Sequence, residues 1–344
     1  MKPFAERLLT WWQVHGRREL PWQHPRTPYR VWVSEIMLQQ TRVETVIDYF
    51  NRFMQRFPDL KALAETSIDD VLSLWSGLGY YARARNLHAA ARIMLGEHSG
   101  KVPDDFNALH ALPGIGRSTA AAILAQGFHQ RATILDGNVK RVLARHAGIA
   151  GWPGKTAVAN RLWHEAELRT PVDQAADYTQ AIMDLGATLC HRGKPLCEQC
   201  PVSADCVARS QQCQHELPTP KPRKTLPERV QNFDILRNRH GELLLIRRPP
   251  SGIWGGLWCL PEHDAVAVLS SKTLLTPAPI EHSFSHFKLS MRFRHLEIEQ
   301  SNSIADDNSR WLTIEDWLKT GLPRPIRALL ESLIAAESAG HDVQ

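Results

Sequence analysis

LHALPGIGRSTAAAILAQGF (residues 109–128) reads as a helix, a tight turn and a second helix. Leu109 and Leu112 close the first helix, Pro113-Gly114-Ile115-Gly116 makes the turn, and Gly127 stands where a C′ stop belongs. Two glycines around one apolar residue let backbone N–H groups approach an anion at a helix N-terminus, where the helix dipole assists. Ile115 would anchor that turn in the core. The same pattern suits a close-packed helical corner, so alone it leaves both readings open.

Around the hairpin, from Phe4 to about Ala208, apolar residues recur at spacings of three and four. The helical segments are 4–15, 28–50, 69–75, 80–95, 104–111, 117–126, 138–147, 155–168 and 176–189. LPTPKPRKTLPER (217–229) then brings four prolines and four basic residues against one acid, the composition of an extended linker. Beyond it the period changes to two. QNFDILRN, ELLLIRR and KLSMRFRHLEIEQ are strand-like, with His240-Gly241 turning between the first two. In the third, Leu289, Met291 and Phe293 share one face while Leu296 and Ile298 fall out of phase, which predicts a bulge near Arg294–His295. A helical tail covers roughly 323–336. The expected fold class is a mainly α N-terminal region (1–212) joined by a linker (213–229) to an α+β domain (230–344).

With 344 residues, 43% of them hydrophobic, the chain can bury two cores. No run approaches the roughly 18 apolar residues of a membrane span. MKPFAERLLTWW lacks the apolar core of a secretory signal, so the expected location is the cytoplasm, in a bacterium the cytosol or nucleoid. The net charge of +5 is uneven: residues 1–229 hold 29 Lys+Arg against 22 Asp+Glu, and residues 230–344 hold 12 against 14. A basic first part suits a polyanion, though small phosphorylated substrates would suit it too.

Four of the six cysteines, Cys190, Cys197, Cys200 and Cys206, form C-x6-C-x2-C-x5-C. Cytosolic thiols stay reduced, which favours metal ligation over disulfides. Four thiolates suit zinc, but a zinc ribbon commonly uses two close pairs and this loop has one. One close pair with two outlying cysteines can also wrap the corners of an iron–sulfur cubane. Arg192 and Lys194, between the first two cysteines, would compensate a cluster's negative charge or meet phosphates. No flavin or nicotinamide fingerprint accompanies the loop, which favours a scaffold over redox catalysis. Cys213 and Cys259 lie outside the pattern and read as ordinary small buried or semi-buried residues.

Two acids stand out. Asp136, in TILDGNVKRVLARHAG (133–148), precedes a helix. There it can accept backbone N–H bonds and feel the positive end of the dipole, and both favour the carboxylate. A plain N-cap explains the same placement. Glu35 lies at the edge of a helical face made by Trp32, Ile36, Gln39, Val43 and Val46, where desolvation raises a carboxyl pKa. A glutamate at the boundary of core and solvent is the ordinary alternative. Carboxyls whose pKa values are pushed apart are the pattern of glycosidic cleavage.

LPWQ (21–24), SEIMLQQT (34–41), GLGYYARARNL (77–87), LPGIGRSTA (112–120), LDGNVKRVL (135–143), MDLGA (183–187) and the four-cysteine loop together resemble the MutY adenine DNA glycosylases. That family lies in the helix–hairpin–helix superfamily with endonuclease III, and the resemblance covers essentially the whole chain. It implies excision of adenine opposite 8-oxoguanine or guanine in double-stranded DNA, a [4Fe-4S] cluster on the four cysteines, and a monovalent cation at the hairpin (about 104–127). It implies that Glu35 protonates N7 of the flipped adenine, that Asp136 stabilises an oxocarbenium-like sugar, and that Asn138 helps position these groups. DNA contacts are implied at Gln40, Thr41, Tyr80, Arg83, Gly114, Gly116, Arg192 and Lys194, with Gln40 and Tyr80 entering the duplex near the lesion.

Bifunctional relatives place a lysine just after the hairpin to attack the sugar. Here Ser118 stands there, so a monofunctional hydrolase is expected. PPSGIWGGLWCLP (249–261) and FSH (284–286) resemble the family's Nudix-like domain, implying that Phe284, Ser285 and His286 read 8-oxoguanine. The metal-holding helix of a Nudix hydrolase, G-x5-E-x7-R-E-x2-E-E, is missing from the sequence, so this domain is expected to recognise rather than hydrolyse. A monomer is the default. The rivals are a pyrimidine glycosylase with lyase activity and a non-catalytic iron–sulfur DNA-binding protein. Ser118 and FSH count against the first, and the pairing of Glu35 with Asp136 against the second.

Overall fold

The computed structural model describes residues 2–222, 225–250, 252–263, 265–266, 271–284, 286–298 and 308–341. The chain forms two compact units, Met1–Glu65 with Asn86–Arg223, and Thr66–Arg85 with Lys224–Gln344. Segment 66–85, assigned by periodicity to the 1–212 region, therefore belongs to the C-terminal unit. Contacts distant in sequence tie it there, among them Asp69 with Arg247 at 2.8 Å and Ser73 with the Lys319 carbonyl at 2.6 Å.

The first unit holds α1 (Phe4–His15), α2 (Pro28–Leu38), α3 (Val43–Arg56) and α4 (Leu60–Glu65). Next along the chain come α5 (Ile68–Leu74), in the second unit, and α6 (Ala82–Glu97). The first unit resumes at Asn86, within α6, and continues with α7 (Phe106–Ala111), α8 (Arg117–Phe128), α9 (Gly137–His146), α10 (Thr156–Arg169), α11 (Ala175–Thr188) and α12 (Val207–Ser210). Its core gathers Leu8 and Trp12 of α1, Val139 and Leu143 of α9, and Leu185 of α11.

Beyond α3, which runs on to Arg56, and the unexpected α4, two differences from the periodic reading bear on the site. The expected helix 28–50 is two helices, because the chain breaks at residues 39–42, where Gln40 takes a left-handed φ of 57°. No glycine or proline marks this break, and the apolar period runs through it. Gly127 does not end α8. It lies inside the helix, where a Cβ would come within 2.9 Å of the Pro28 backbone, and His129 takes the left-handed cap instead.

The C-terminal unit is built on a seven-stranded sheet among the described residues. Its strands are β1 (Glu228–Asn238), β2 (Leu243–Arg247), β3 (Trp258–Cys259), β4 (Ser271–Thr273), β5 (Ile280–Ser283), β6 (Lys288–Ile298) and β7 (Ser309–Leu312). Two helices follow, α13 (Ile314–Leu318) and α14 (Arg324–His341). β1 and β6 pair in parallel without a break from Glu228↔Lys288 to Asn238↔Ile298, so the expected bulge at Arg294–His295 is not there. His295 and Leu296 are both buried: from His295 on this strand is covered on both faces, and apolar residues on both need no change of phase. β1 begins at Glu228, inside the stretch read as linker. Among the described residues no helix is long and apolar enough to cross a membrane.

Candidate active site

Helix α2 is buried on nearly every side, by Tyr29, Val31, Trp32, Val33, Ser34, Ile36 and Met37. Glu35 is the exception among residues 31–37, half-buried where the helix reaches a cleft. Thr27 caps the helix through the Arg30 amide and Pro28 opens it. The neighbouring α8 is small-sided, Ala120, Ala121, Ala122 and Ala125 all being buried, which lets the two helices approach closely. That approach brings Gln126 to Glu35, and its Nε2 donates to Oε1 at 3.3 Å. Burial, and then the charge of Asp136, raise the Glu35 carboxyl to about 7, while the Gln126 bond opposes them.

Glu35, Ser118, Asp136 and Asn138 line one cleft of about 420 Å³ in the first unit, with Gln40 and Thr41 also on its wall. That size lies in the range of small-molecule pockets. Asp136 caps α9, accepting from the Val139 amide at 2.7 Å. Its pKa is raised, which corrects the direction expected from the cap alone. Burial is the largest influence, and it outweighs the Val139 and Asn138 amides and the charges of Arg141 and Lys140. Ser118 has a positioning contact: its Oγ accepts from the Leu135 amide at 3.0 Å, next to Asp136 in the chain.

Asn138 Oδ1 accepts from Arg141 Nη2 at 2.9 Å. The same guanidinium donates to the Gly186 carbonyl at 2.7 Å and, through Nε, to the Cys190 carbonyl at 2.7 Å. A Cβ on Gly186 would lie 2.6 Å from that of Asn138, so only glycine allows α11 this close. Two residues that line the cleft, and the buried acid that holds them, escaped the sequence reading. Arg17 and Gln180 line the cleft, and both are tied to the fully buried Asp184. Arg17 Nη2 lies 2.7 Å from Asp184 Oδ1 and Gln180 Nε2 lies 2.9 Å from it. Asp184 falls in the quoted MDLGA, but nothing in its spacing announces five donors.

At the hairpin, Ile115 is buried as expected and Gly114 has φ 79°. Gly116 caps α8, and a Cβ there would meet nothing within 4 Å, so the turn's backbone is open to an approaching anion. The Gly114 carbonyl accepts from Gln39 at 3.4 Å, and the Ile115 carbonyl lies 3.2 Å from His110 Nδ1. A cation at the hairpin would share these carbonyls with those side chains.

Cys190, Cys197, Cys200 and Cys206, all half-buried, line a single small cavity walled by Val142, Leu185 and Leu189. Among the described residues no three His, Cys, Asp or Glu side chains are grouped to hold one metal ion. Buried Arg145, another residue without a sequence signal, organises the loop. Its Nη1 lies 3.3 Å from Cys190 Sγ and 2.7 Å from the His191 carbonyl, and its Nη2 3.1 Å from the Arg192 carbonyl. Sulfurs arranged around a cavity, with a guanidinium donating to one of them, fit an anionic thiolate-held group larger than one ion. Arg192 and Lys194 are exposed on this loop.

In the second unit Tyr80 is 50% exposed and left-handed, with φ 51°. Arg83, expected at DNA, is 8% exposed, with its guanidinium against the Trp75 and Tyr80 rings and donating to the Gly79 carbonyl at 3.1 Å. Burial lowers its pKa to about 10. It supports the turn from beneath. Phe284 stacks on Phe287 with centroids 4.4 Å apart and meets His282 edge-on at 4.7 Å. His286 is exposed, and Ser285 lies outside the described residues.

Residues 33–167 match the HhH-GPD superfamily of base excision DNA repair proteins, and residues 233–332 match a NUDIX domain. The adenine DNA glycosylase of Buchnera aphidicola subsp. Acyrthosiphon pisum (strain APS) is 37% identical over 340 residues, covering 96% of this chain and 97% of the relative. That of Mus musculus is 35% identical over 384 residues, covering 91% of this chain and 74% of its own length. A thermostable thymine-DNA glycosylase of known structure is 30% identical with a TM-score of 0.55, covering 60% of this chain and 95% of its own. Hairpin, cleft and fold are those of a base-excision repair glycosylase acting on DNA. The chain belongs to the adenine DNA glycosylases, in which a Nudix-like domain follows the helical one.

Proposed function

We propose that this enzyme hydrolyses the N-glycosidic bond of adenine opposite 8-oxoguanine or guanine, with Glu35 as general acid. The observation that carries this reading is the cleft that unites Glu35, raised to about 7, with Asp136 at the N-terminus of α9. A base inside a duplex must be extruded first, at about a few kcal/mol, and a mispair lowers that cost. Glu35 then delivers its proton to N7. The C1′–N9 bond breaks with its electron pair passing to the purine, which leaves neutral. The carboxylate of Asp136 holds the oxocarbenium-like sugar in a site sheltered from water. Water adds to C1′ and its proton passes to a carboxylate of the pair. Asn138, fixed by Arg141, and Ser118, fixed by Leu135, position this machinery. No lysine stands at the Ser118 position, so hydrolysis proceeds without a Schiff base.

The remaining roles follow the same reading. Gly114, Gly116, Arg192 and Lys194 meet phosphates, Gln40, Thr41 and Tyr80 enter or border the duplex gap, and Phe284, Ser285 and His286 read the damaged base in a monomeric protein. The four cysteines hold a [4Fe-4S] cluster, which when bound supplies a rigid centre for the loop rather than electron transfer. Iron and sulfide assays on purified protein should find about four of each, and stoichiometric zinc would replace this assignment. The deciding experiment is single-turnover cleavage of duplexes carrying A:8-oxoG, A:G, A:T or an oxidised pyrimidine. Adenine release should rank A:8-oxoG and A:G above A:T, with no pyrimidine release. A borohydride-trapped DNA adduct as abundant as a true lyase gives would overturn the monofunctional assignment.

A further inference from the structure

The segment that presents Tyr80 is fastened to the C-terminal domain by side chains at helical spacing. Asp69 and Ser73, four residues apart on α5, reach Arg247 at 2.8 Å and the Lys319 carbonyl at 2.6 Å. Tyr81 and Arg85, again four apart, reach the Leu322 carbonyl at 3.3 Å and the Gly255 carbonyl. The fit leaves little slack. A Cβ on Gly321 would lie 3.2 Å from Leu72 Cβ, closer than ordinary contact, while Gly256 leaves Arg85 Cδ ordinary contact distance. Between these anchors the turn is strained. Gly77, Gly79 and Tyr80 all have positive φ, at 94°, 75° and 51°. A tyrosine in that region is strained and persists only where its surroundings hold it. Trp75 and Arg83 hold the turn from beneath, each donating to the Gly79 carbonyl at 3.1 Å.

We propose that the C-terminal domain acts on base extrusion directly, by clamping the 77–81 turn so that Tyr80 and the lesion-reading surface approach DNA as one body. Asp69, Ser73, Tyr81 and Arg85 are its positioning residues. This rests on the reading that Tyr80 enters the duplex. The domain then does more than add affinity for a damaged base, because it fixes the side chain that takes up the space of the extruded one. Coupling of this kind needs a mechanical link between reader and wedge, and the four contacts with the close packing at Gly321 form one.

The test uses the full-length protein and single-turnover cleavage of A:8-oxoG and A:G duplexes. Extrusion is followed by the fluorescence of 2-aminopurine in place of the target adenine. Asp69→Arg and Arg247→Asp should each slow cleavage and the fluorescence rise about three- to tenfold, somewhat more than an exposed pair is worth because two like charges then meet. The double exchange should restore both signals, which a merely destabilised fold would not do. In a Tyr80→Ala background the same exchanges should have no further effect. If Tyr80→Ala itself leaves extrusion unchanged, the reading of Tyr80 fails and the clamp with it. If Tyr80→Ala slows extrusion but the charge exchanges and Arg85→Ala do not, the clamp alone is overturned.

Discussion

Each unit buries a carboxylate completely, and neither is the acid at the cleft. Asp184 in the first unit receives the Trp12 indole N–H at 2.9 Å, the Arg17 amide at 2.9 Å, two guanidinium nitrogens of Arg17 at 2.8 and 2.7 Å, and Gln180 at 2.9 Å. Asp234 in the second receives Arg294 at 3.0 and 2.7 Å and lies 3.0 Å from His263 Nδ1. Glu35 has one neutral donor at 3.3 Å. Burial alone therefore does not mark a reactive acid. A carboxylate given donors for its lone pairs becomes a fastening, whereas one that is desolvated with donors withheld keeps its proton near neutral pH.

The sharpest way to break this comparison is to exchange Glu35 for its neutral isostere. Glu35→Gln should lower single-turnover adenine release about 10²–10⁴-fold, the range of a lost general acid. Its affinity for a lesion duplex, measured by fluorescence anisotropy, should stay within about threefold, because the shape is retained and no phosphate contact is lost. Undiminished cleavage in this variant would remove the mechanism. Asp184→Ala should act on the fold. Its removal leaves the buried Trp12 and Gln180 donors unsatisfied and Arg17, at 26% side-chain exposure, without its counter-charge, at about 3–5 kcal/mol in all, read by urea denaturation. Asp234→Ala should cost less, about 1–3 kcal/mol. Its partners Arg294 and His263 keep 39% and 37% side-chain exposure and can regain water. Equal losses for the two aspartates would mean that the number of donors, rather than the isolation of the partners, sets the cost.

The same distinction explains what could be read from sequence. Most helices were legible because apolar residues recur at spacings of three and four, even in α2, which is buried nearly all round, and the two acids because one precedes a helix and the other borders an apolar face. The hairpin was legible because two glycines and a proline leave few alternatives for the chain. The break at residues 39–42 was not, because Gln40 adopts its left-handed conformation without any local breaker residue. Asp184, Arg141 and Arg145 were unread for a related reason. Their partners are set by tertiary approach across α1, α9, α11 and the cysteine loop, and a polar residue on a helix looks the same in sequence whether water or five donors await it. Segment 66–85 belongs with the C-terminal unit through contacts about 170 to 246 residues away in sequence, beyond the reach of any periodicity.

The smallest expected effect tests the withheld donors most directly. The Gln126 amide is the group that lowers the Glu35 pKa, and it opposes burial and the charge of Asp136. Gln126→Leu removes the donor with little change of volume, so the ionised form of Glu35 loses stabilisation and its pKa must rise above about 7. An acid catalyst works while protonated, so cleavage falls as pH rises through that pKa. The alkaline limb of the single-turnover rate should therefore move to higher pH. One net hydrogen bond of about 1 kcal/mol sets the shift at somewhat under one pH unit. A limb that moves to lower pH would mean that Gln126 favours the protonated acid instead. A limb that stays fixed would mean that Glu35 is not the group whose titration limits the reaction.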